Sequence, residues 1–316
     1  MGLYDEVMKA EARVRAHVRT TPVEPSIILG ERGNCTVHLK CENFQRTGSF
    51  KFRGAISKLL ALSDDARQRG VVAASTGNHG LAVSLASQIL GNPATIYHPV
   101  DASQAKLQGI RALGADTVGY GEDCLLCETA AQEHVREQDL VYVSPYNDEQ
   151  VAAGQGTLAV ELSRQLDGVD AVFVSVGGGG LVSGIGAFLK EWQPHAQIYG
   201  CSPTNSAVML HSLAADRLLD MASLPTLSDG TAGGVEAGSI TFDHCRQVID
   251  HSVFVSEEEI AAAMRLIISK HHMLIEGAAG AAVAGFLQKA DELAGKRVVI
   301  VLCGANVGPE TVKAVL

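Results

Sequence analysis

A lysine set between two aromatic residues, where a strand gives way to a helix, is the residue of this 316-residue chain best placed to do chemistry. The stretch reads Glu42-Asn43-Phe44-Gln45-Arg46-Thr47-Gly48-Ser49-Phe50-Lys51-Phe52-Arg53-Gly54-Ala55. Thr47-Gly48-Ser49 breaks the preceding strand, and Ser49 suits the N-cap of a helix predicted from Phe50 to Leu62. Lys51 then falls in the first turn, where the positive end of the helix dipole disfavours an ammonium ion. Phe50 and Phe52 add desolvation, which lowers a lysine pKa in the same direction. A lysine biased toward its free amine is what Schiff-base chemistry needs. On this stretch alone, an ordinary surface lysine is an equal alternative.

Three further stretches carry chemistry. Ala171–Val176 is the most strand-like run of the chain, and it ends in Gly177-Gly178-Gly179-Gly180 before a helix. Strand, glycine loop and helix let backbone N–H groups and a helix N-terminus converge on a phosphate. A dinucleotide GxGxxG would need glycine at 182 or 183, which are valine and serine, and no Gly-Lys-Ser/Thr of a P-loop is present. A cradle for a phosphate monoester remains, with a merely tight turn as its alternative. Ser75-Thr76-Gly77-Asn78-His79-Gly80 is a second strand-to-helix loop, rich in donors that suit a carboxylate, or else a simple helix cap. Cys303-Gly304-Ala305-Asn306 follows the strand Val298–Leu302, so Cys303 sits at a carboxyl end of the sheet, where open α/β folds bind ligands. Its alternative is a buried structural cysteine.

The elements that must position these loops alternate. Short apolar strands are expected at 36–41, 70–74, 94–98, 115–119, 140–143, 171–176, 198–201 and 298–302, with helices between them. That alternation means a parallel sheet covered on both faces. Ser144-Pro145-Tyr146-Asn147-Asp148 reads as a crossover between domains, and the length suggests two of them. A net charge of −10 without any lysine or arginine block argues against nucleic acid or an anionic membrane as partner. No apolar run approaches a membrane span and no secretory signal opens the chain, so a soluble protein is expected. Seven scattered cysteines fit a reducing cytoplasm, and the lone Cys124-Leu-Leu-Cys127 reads as helix positions rather than a metal or redox pair.

In order, Gly48-Ser49-Phe50-Lys51-Phe52-Arg53-Gly54-Ala55, Ser75–Gly80, Gly177–Gly180 and Cys303–Asn306 resemble one family closely. The chain looks like a fold-type II pyridoxal-phosphate enzyme of the serine/threonine dehydratase (ammonia-lyase) and serine racemase family, from about Tyr4 to Val312. The resemblance implies a tryptophan synthase β-like α/β fold of two parallel-sheet domains with the active site between them. Residues 1–53 and 146–316 would form the large cofactor-binding domain, and 54–145 a small mobile one. It implies pyridoxal 5'-phosphate as cofactor, linked to Lys51, with Phe50 beside it. Gly177, Gly178, Gly179 and Gly180 would bind the phosphate, Asn78 the ring hydroxyl, and Cys303 would face the ring nitrogen. Ser75, Thr76, Gly77, Asn78 and His79 would take the substrate carboxylate. Lys51, freed by the substrate, would act as general base in β-elimination from a 3-hydroxy amino acid, giving a 2-keto acid and ammonia. A cytoplasmic homodimer acting on a small amino acid is implied as well.

Departures from the family pattern refine this expectation. Thr76 stands where racemases resemble one another in carrying a serine as second base, which favours dehydration, with Thr76 still a catalytic candidate, over racemisation. Serine racemase is the alternative within the fold, and a non-catalytic phosphate-ligand-binding protein is the one outside it. Ser202-Pro203-Thr204-Asn205-Ser206-Ala207-Val208 lacks the carboxylates that form a divalent-cation site in many relatives, so no metal is expected. No regulatory domain follows the Cys303 motif, so feedback by isoleucine is not expected. Glu236, in the glycine-rich loop from Asp229 to Gly238, and Glu276 are each either near the cofactor or merely structural. His79 and the pair His271-His272 read as structural. Phenylserine is one bulkier substrate compatible with such a branch.

Overall fold

A computed structural model describes residues 2–316 apart from Thr76, Ser103 and Asp123, and without the side chains of Ala105, Lys106, Cys124 and Leu125. Thr76 and the Cys124 side chain therefore lie outside the described residues. The strands are β1 (Val23–Pro25), β2 (Thr36–Lys40), β3 (Val71–Ala74), β4 (Ala94–His98), β5 (Asp116–Gly119), β6 (Val141–Tyr142), β7 (Ala171–Ser175), β8 (Gln197–Pro203), β9 (His251–Val255) and β10 (Arg297–Val301). They form two sheets, β1-β2-β10-β7-β8-β9 and β5-β4-β3-β6. All recorded pairs are parallel except β1 with β2, an antiparallel edge that the expectation of a purely parallel sheet did not include.

The central strands are apolar on both faces because helices cover both. Every residue of β7 and β3 is buried. The glycines and alanines of helix Gly277–Lys289 let it pack closely on the larger sheet: its first ten residues are buried, and Phe286 meets the Phe173 ring edge-on at 5.7 Å. A second core surrounds β3 and β4, where Phe52, Ile56 and Leu59 of helix Lys51–Ala61 join Val71, Ile96 and Ile110.

Helix Lys51–Ala61 belongs to both halves. Its Arg53, fully buried, donates from Nε to Glu42 Oε2 at 2.7 Å and from its terminal nitrogens to Glu161 Oε1 and Oε2 at 2.8 and 2.9 Å. Lys40 Nζ donates to Glu161 Oε2 at 2.7 Å, so two buried cations face two buried carboxylates. Burial alone would raise Glu161, but Arg53 and Lys40 bring it down to about 2. The group locks helix Lys51–Ala61 against helix Glu149–Gln165 and sets the rotation of its first turn.

Ser49 does not cap that helix. Its backbone is extended (φ −160°, ψ 161°), Phe50 holds the cap position, and Ser49 pairs instead in an isolated antiparallel bridge with Gly304. Tertiary pairing of the loop has overridden the local capping preference, and the Ser49 hydroxyl is buried without a partner.

Candidate active site

The carboxyl ends of β7 and β10, neighbours in the larger sheet, place the glycine run beside the Cys303 motif. The lysine stretch is then stitched along that motif. Phe50 N–H donates to Cys303 O at 3.0 Å, and Ala305 N–H donates to Gly48 O at 2.9 Å. Gly48 has φ +73°, which admits glycine at this close crossing. One cleft results, lined by Phe50, Lys51, Asn78, Tyr146, Gly177–Gly180, Thr231, Glu276 and Cys303 among others. It unites four of the sequence motifs.

Lys51 is the first residue of its helix and half-buried, with Nζ donating to Pro145 O at 2.9 Å and 5.3 Å from the Phe50 ring centre. Burial lowers its pKa to about 8, against the pull of the Glu276 carboxylate. Cys303 is buried, takes a 3.4 Å contact from the Ser175 hydroxyl, and is pushed by burial and by Glu276 well above the usual thiol range. It is a neutral thiol. Glu276 lies at the N-cap of helix Gly277–Lys289 but its side chain makes no capping bond. That side chain turns into the cleft and accepts from Asn78 Nδ2 at 2.8 and 2.9 Å and from Asn306 N–H at 3.1 Å. Burial raises its carboxyl to about 7.

The Asn78 amide is thus committed on both sides, since its Oδ1 accepts from Asn306 Nδ2 at 2.5 Å. Of the described residues in the loop 75–79, Asn78 alone lines the cleft. Ser75 Oγ accepts from Gly77 N–H at 3.1 Å. His79 is buried with Nε2 2.7 Å from Val143 O, and burial followed by the charge of Lys51 lowers it to about 3, so it is a neutral structural imidazole. His271 likewise pairs with Ser26 Oγ at 2.9 Å, and His272 ends its helix in the left-handed conformation.

Gly177–Gly180 close the other end. Among the described residues no protein group accepts their N–H groups, and they lead into helix Gly180–Trp192. A Cβ at Gly177 would lie 2.8 Å from Thr231 O, one at Gly179 2.5 Å from Cys245 Sγ, and one at Gly178 would overlap the Tyr146 ring. Unsatisfied N–H groups at a helix N-terminus, with no room for side chains, fit a phosphate monoester. A lysine poised as an amine at the opposite end fits an aldehyde. Pyridoxal phosphate carries both groups, and the cleft matches it.

Sequence reasoning passed over Tyr146, read only as part of a crossover, although it covers the glycine cradle and accepts from Glu236 N–H at 2.9 Å. An aromatic residue at a domain crossing was the available signal. Glu236 is not a solvated loop carboxylate, because Asn147 Nδ2 donates to its Oε2 at 2.7 Å. Asn306 and Glu276 form the network described above, which no spacing in the sequence could reveal.

Comparison with known proteins agrees with the geometry. The family of "pyridoxal-phosphate dependent enzyme" matches residues 14–304. An L-threonine ammonia-lyase of Thermotoga maritima is 39% identical over 303 residues, covering 96% of this chain and 75% of that protein. An L-threo-3-hydroxyaspartate ammonia-lyase of Saccharomyces cerevisiae is 35% identical over 304 residues, covering 96% and 93%. The structure of the processed form of threonine deaminase isoform 2 from Solanum lycopersicum superposes with a TM-score of 0.95 at 33% identity, covering 99% of this chain and 87% of that one. With its two parallel-sheet domains, its lysine amine and its glycine cradle, this chain belongs to the pyridoxal-phosphate dependent enzymes of fold type II.

Proposed function

We propose that the protein is an ammonia-lyase that removes the β-hydroxyl and α-amino groups of a 3-hydroxy amino acid (L-serine, L-threonine or a bulkier analogue such as phenylserine), yielding a 2-keto acid and ammonia. The observation that carries this reading is Lys51: an amine lowered to about 8 at the cleft, between the glycine cradle and the Glu276–Asn78–Asn306 network. Pyridoxal phosphate, when bound, would supply the electron sink that acidifies the substrate's Cα proton. Lys51 takes that proton at Nζ and hands it to the departing β-hydroxyl, which leaves as water. The released enamine tautomerises to an imine and is hydrolysed to keto acid and ammonium. Pro145 O accepts from Lys51 Nζ and so holds the amine at the cleft. Gly177–Gly180 would anchor the phosphate through their N–H groups with Phe50 beside the ring, Asn78 would orient the ring hydroxyl by exchanging one of its bonds to Glu276 or Asn306, and Cys303 would offer the ring nitrogen no negative charge. The loop Ser75, Thr76, Gly77, Asn78 and His79 borders the substrate carboxylate, and Thr76 is the candidate second proton carrier. Residues 54–145 act as the mobile domain.

The apolar groove of Leu274, Val307, Pro309, Val312 and Leu316 supports a homodimer, and the thiols of Cys35, Cys41, Cys201, Cys245 and Cys303 suit the cytoplasm. Sedimentation reads the first and localisation of a tagged chain the second. The function is tested by mixing purified protein with pyridoxal phosphate and following visible absorbance and keto acid with L-serine, L-threonine and L-phenylserine. Colour that Lys51→Ala abolishes, with keto acid from at least one substrate, is expected. D-serine without keto acid would replace the lyase by a racemase, and protein that never takes up the cofactor would leave only a phosphate-ligand-binding role.

A further inference from the structure

Next to Tyr146, which lines the cleft, stands a carboxylate with one unpartnered oxygen. Glu236 Oε2 accepts from Asn147 Nδ2 at 2.7 Å and its N–H donates to the Tyr146 hydroxyl, so the side chain is fixed. Its Oε1 is buried without a hydrogen-bond partner, and so is the Tyr142 hydroxyl on β6. Facing them from helix Cys124–Gln138 is Glu128, raised to about 7 by burial and by the charge of Glu236. Tyr142 and Tyr146 are pushed upward by burial too, with both carboxylates adding to the effect. Among the described residues no lysine or arginine pairs with either Glu128 or Glu236.

These groups meet the cleft through Tyr146 and the loop 229–238. Tyr146 lines it, Pro145 holds the Lys51 amine, and the loop bearing Glu236 begins with the cleft residues Gly230 and Thr231. A buried acceptor without a donor is costly, and two facing carboxylates without a cation are costlier. Neither the fold nor the elimination chemistry uses them. A positively charged donor on the substrate would satisfy Glu236 Oε1 and relieve the repulsion with Glu128. A carboxylate there would add a third negative charge.

We propose that Glu236, held by Asn147 and faced by Glu128 and Tyr142, is a specificity-determining residue that selects 3-hydroxy amino acids whose β-substituent ends in a cationic group, an ammonium or an amidinium. The inference rests on the ammonia-lyase reading and narrows its substrate. It sets this protein apart from a relative that acts on 3-hydroxyaspartate, whose distal group is anionic.

The test compares kcat/KM of the holoenzyme for 3-hydroxyornithine, its neutral isostere 3-hydroxynorleucine, and 3-hydroxyglutamate. The cation is expected to be preferred over the isostere by roughly ten- to hundredfold, the range for a hydrogen bond to a charged group. That ratio should fall to within about threefold in Glu236→Gln, which still accepts from Asn147, and should shrink also in Glu128→Gln. A second readout needs no turnover: L-ornithine should perturb the visible absorbance at lower concentration than L-norleucine, and Glu236→Gln should erase the difference. Preference for the neutral or anionic substrate, a ratio that survives Glu236→Gln, or competition of K+ or Mg2+ with 3-hydroxyornithine would each overturn the proposal. Absence of keto acid from every hydroxy amino acid, with the L-ornithine preference intact, would sink the lyase reading and keep the cationic subsite.

Discussion

Replacing Glu276 by glutamine should make Lys51 a better amine. Burial already lowers the lysine to about 8, while the Glu276 carboxylate pulls the other way. At pH 7 about a tenth of such lysines are free amine, against about one in 3,000 for a lysine titrating at 10.5, a gain of roughly 300-fold in reactive form. Uptake of pyridoxal phosphate by the apoprotein, followed by stopped-flow absorbance, should therefore rise tenfold per pH unit up to about pH 8 and then level off. In Glu276→Gln the plateau should begin lower, by up to about one pH unit, because a partly ionised carboxyl has been removed. A wild-type rate that keeps climbing through pH 10, or a break that moves upward in the variant, would refute the assignment of burial and Glu276 as the opposing causes.

The same carboxyl makes the apoprotein pH-sensitive. Its folded pKa of about 7 lies above the ordinary 4.5, so its stabilising contribution is fully present below pH 4.5 and is lost as pH rises through 7. Unfolding free energies of wild type and Glu276→Gln from urea titrations should diverge over that window by roughly 3 kcal/mol. Arg53→Met leaves Glu42 and Glu161 buried around a lost cation and should cost about 3–5 kcal/mol in urea unfolding. Gly178→Ala drives a methyl into the Tyr146 ring and should weaken cofactor binding by at least about tenfold; Tyr146→Ala added to it should restore much of the loss, as equilibrium titration would show. Ser49→Ala removes an unpartnered hydroxyl and should leave the apoprotein melting temperature unchanged or raised, by differential scanning calorimetry.

Much of this was readable from the chain. The strands from 36–40 through 297–301 were visible because buried parallel strands are short apolar runs closed by glycine or polar residues. β1 and β9 were missed because edge strands carry polar residues: Val23-Glu24-Pro25 and His251-Ser252 lack the apolar run. The helices Ile27–Gly33, Val208–Ala214 and Ile240–Val248 are seven to nine residues long, too short for periodicity to declare them. Lys51, the glycine cradle and Cys303 were found because each sits where backbone direction changes. The Glu276–Asn78–Asn306 network was not, since its members are separated by 198 and 228 positions and meet only through tertiary folding. Ser49 misled because capping preference is local, whereas its pairing with Gly304 is not.

The hydrogen bond from Lys51 to Pro145 O joins the two places where the chain passes into and out of the smaller sheet. Close by, Gly54 N–H donates to Gln155 at 3.0 Å and Lys58 pairs with Asp148 at 2.5 Å, so both crossings are pinned at one spot. The reactive amine sits at that junction, and Asn78 ties the neighbouring loop to Glu276 and Asn306 as well. An amine held where two crossings meet takes its position from both, so its distance from the glycine cradle is set by the frame of the protein and not by the loops around it.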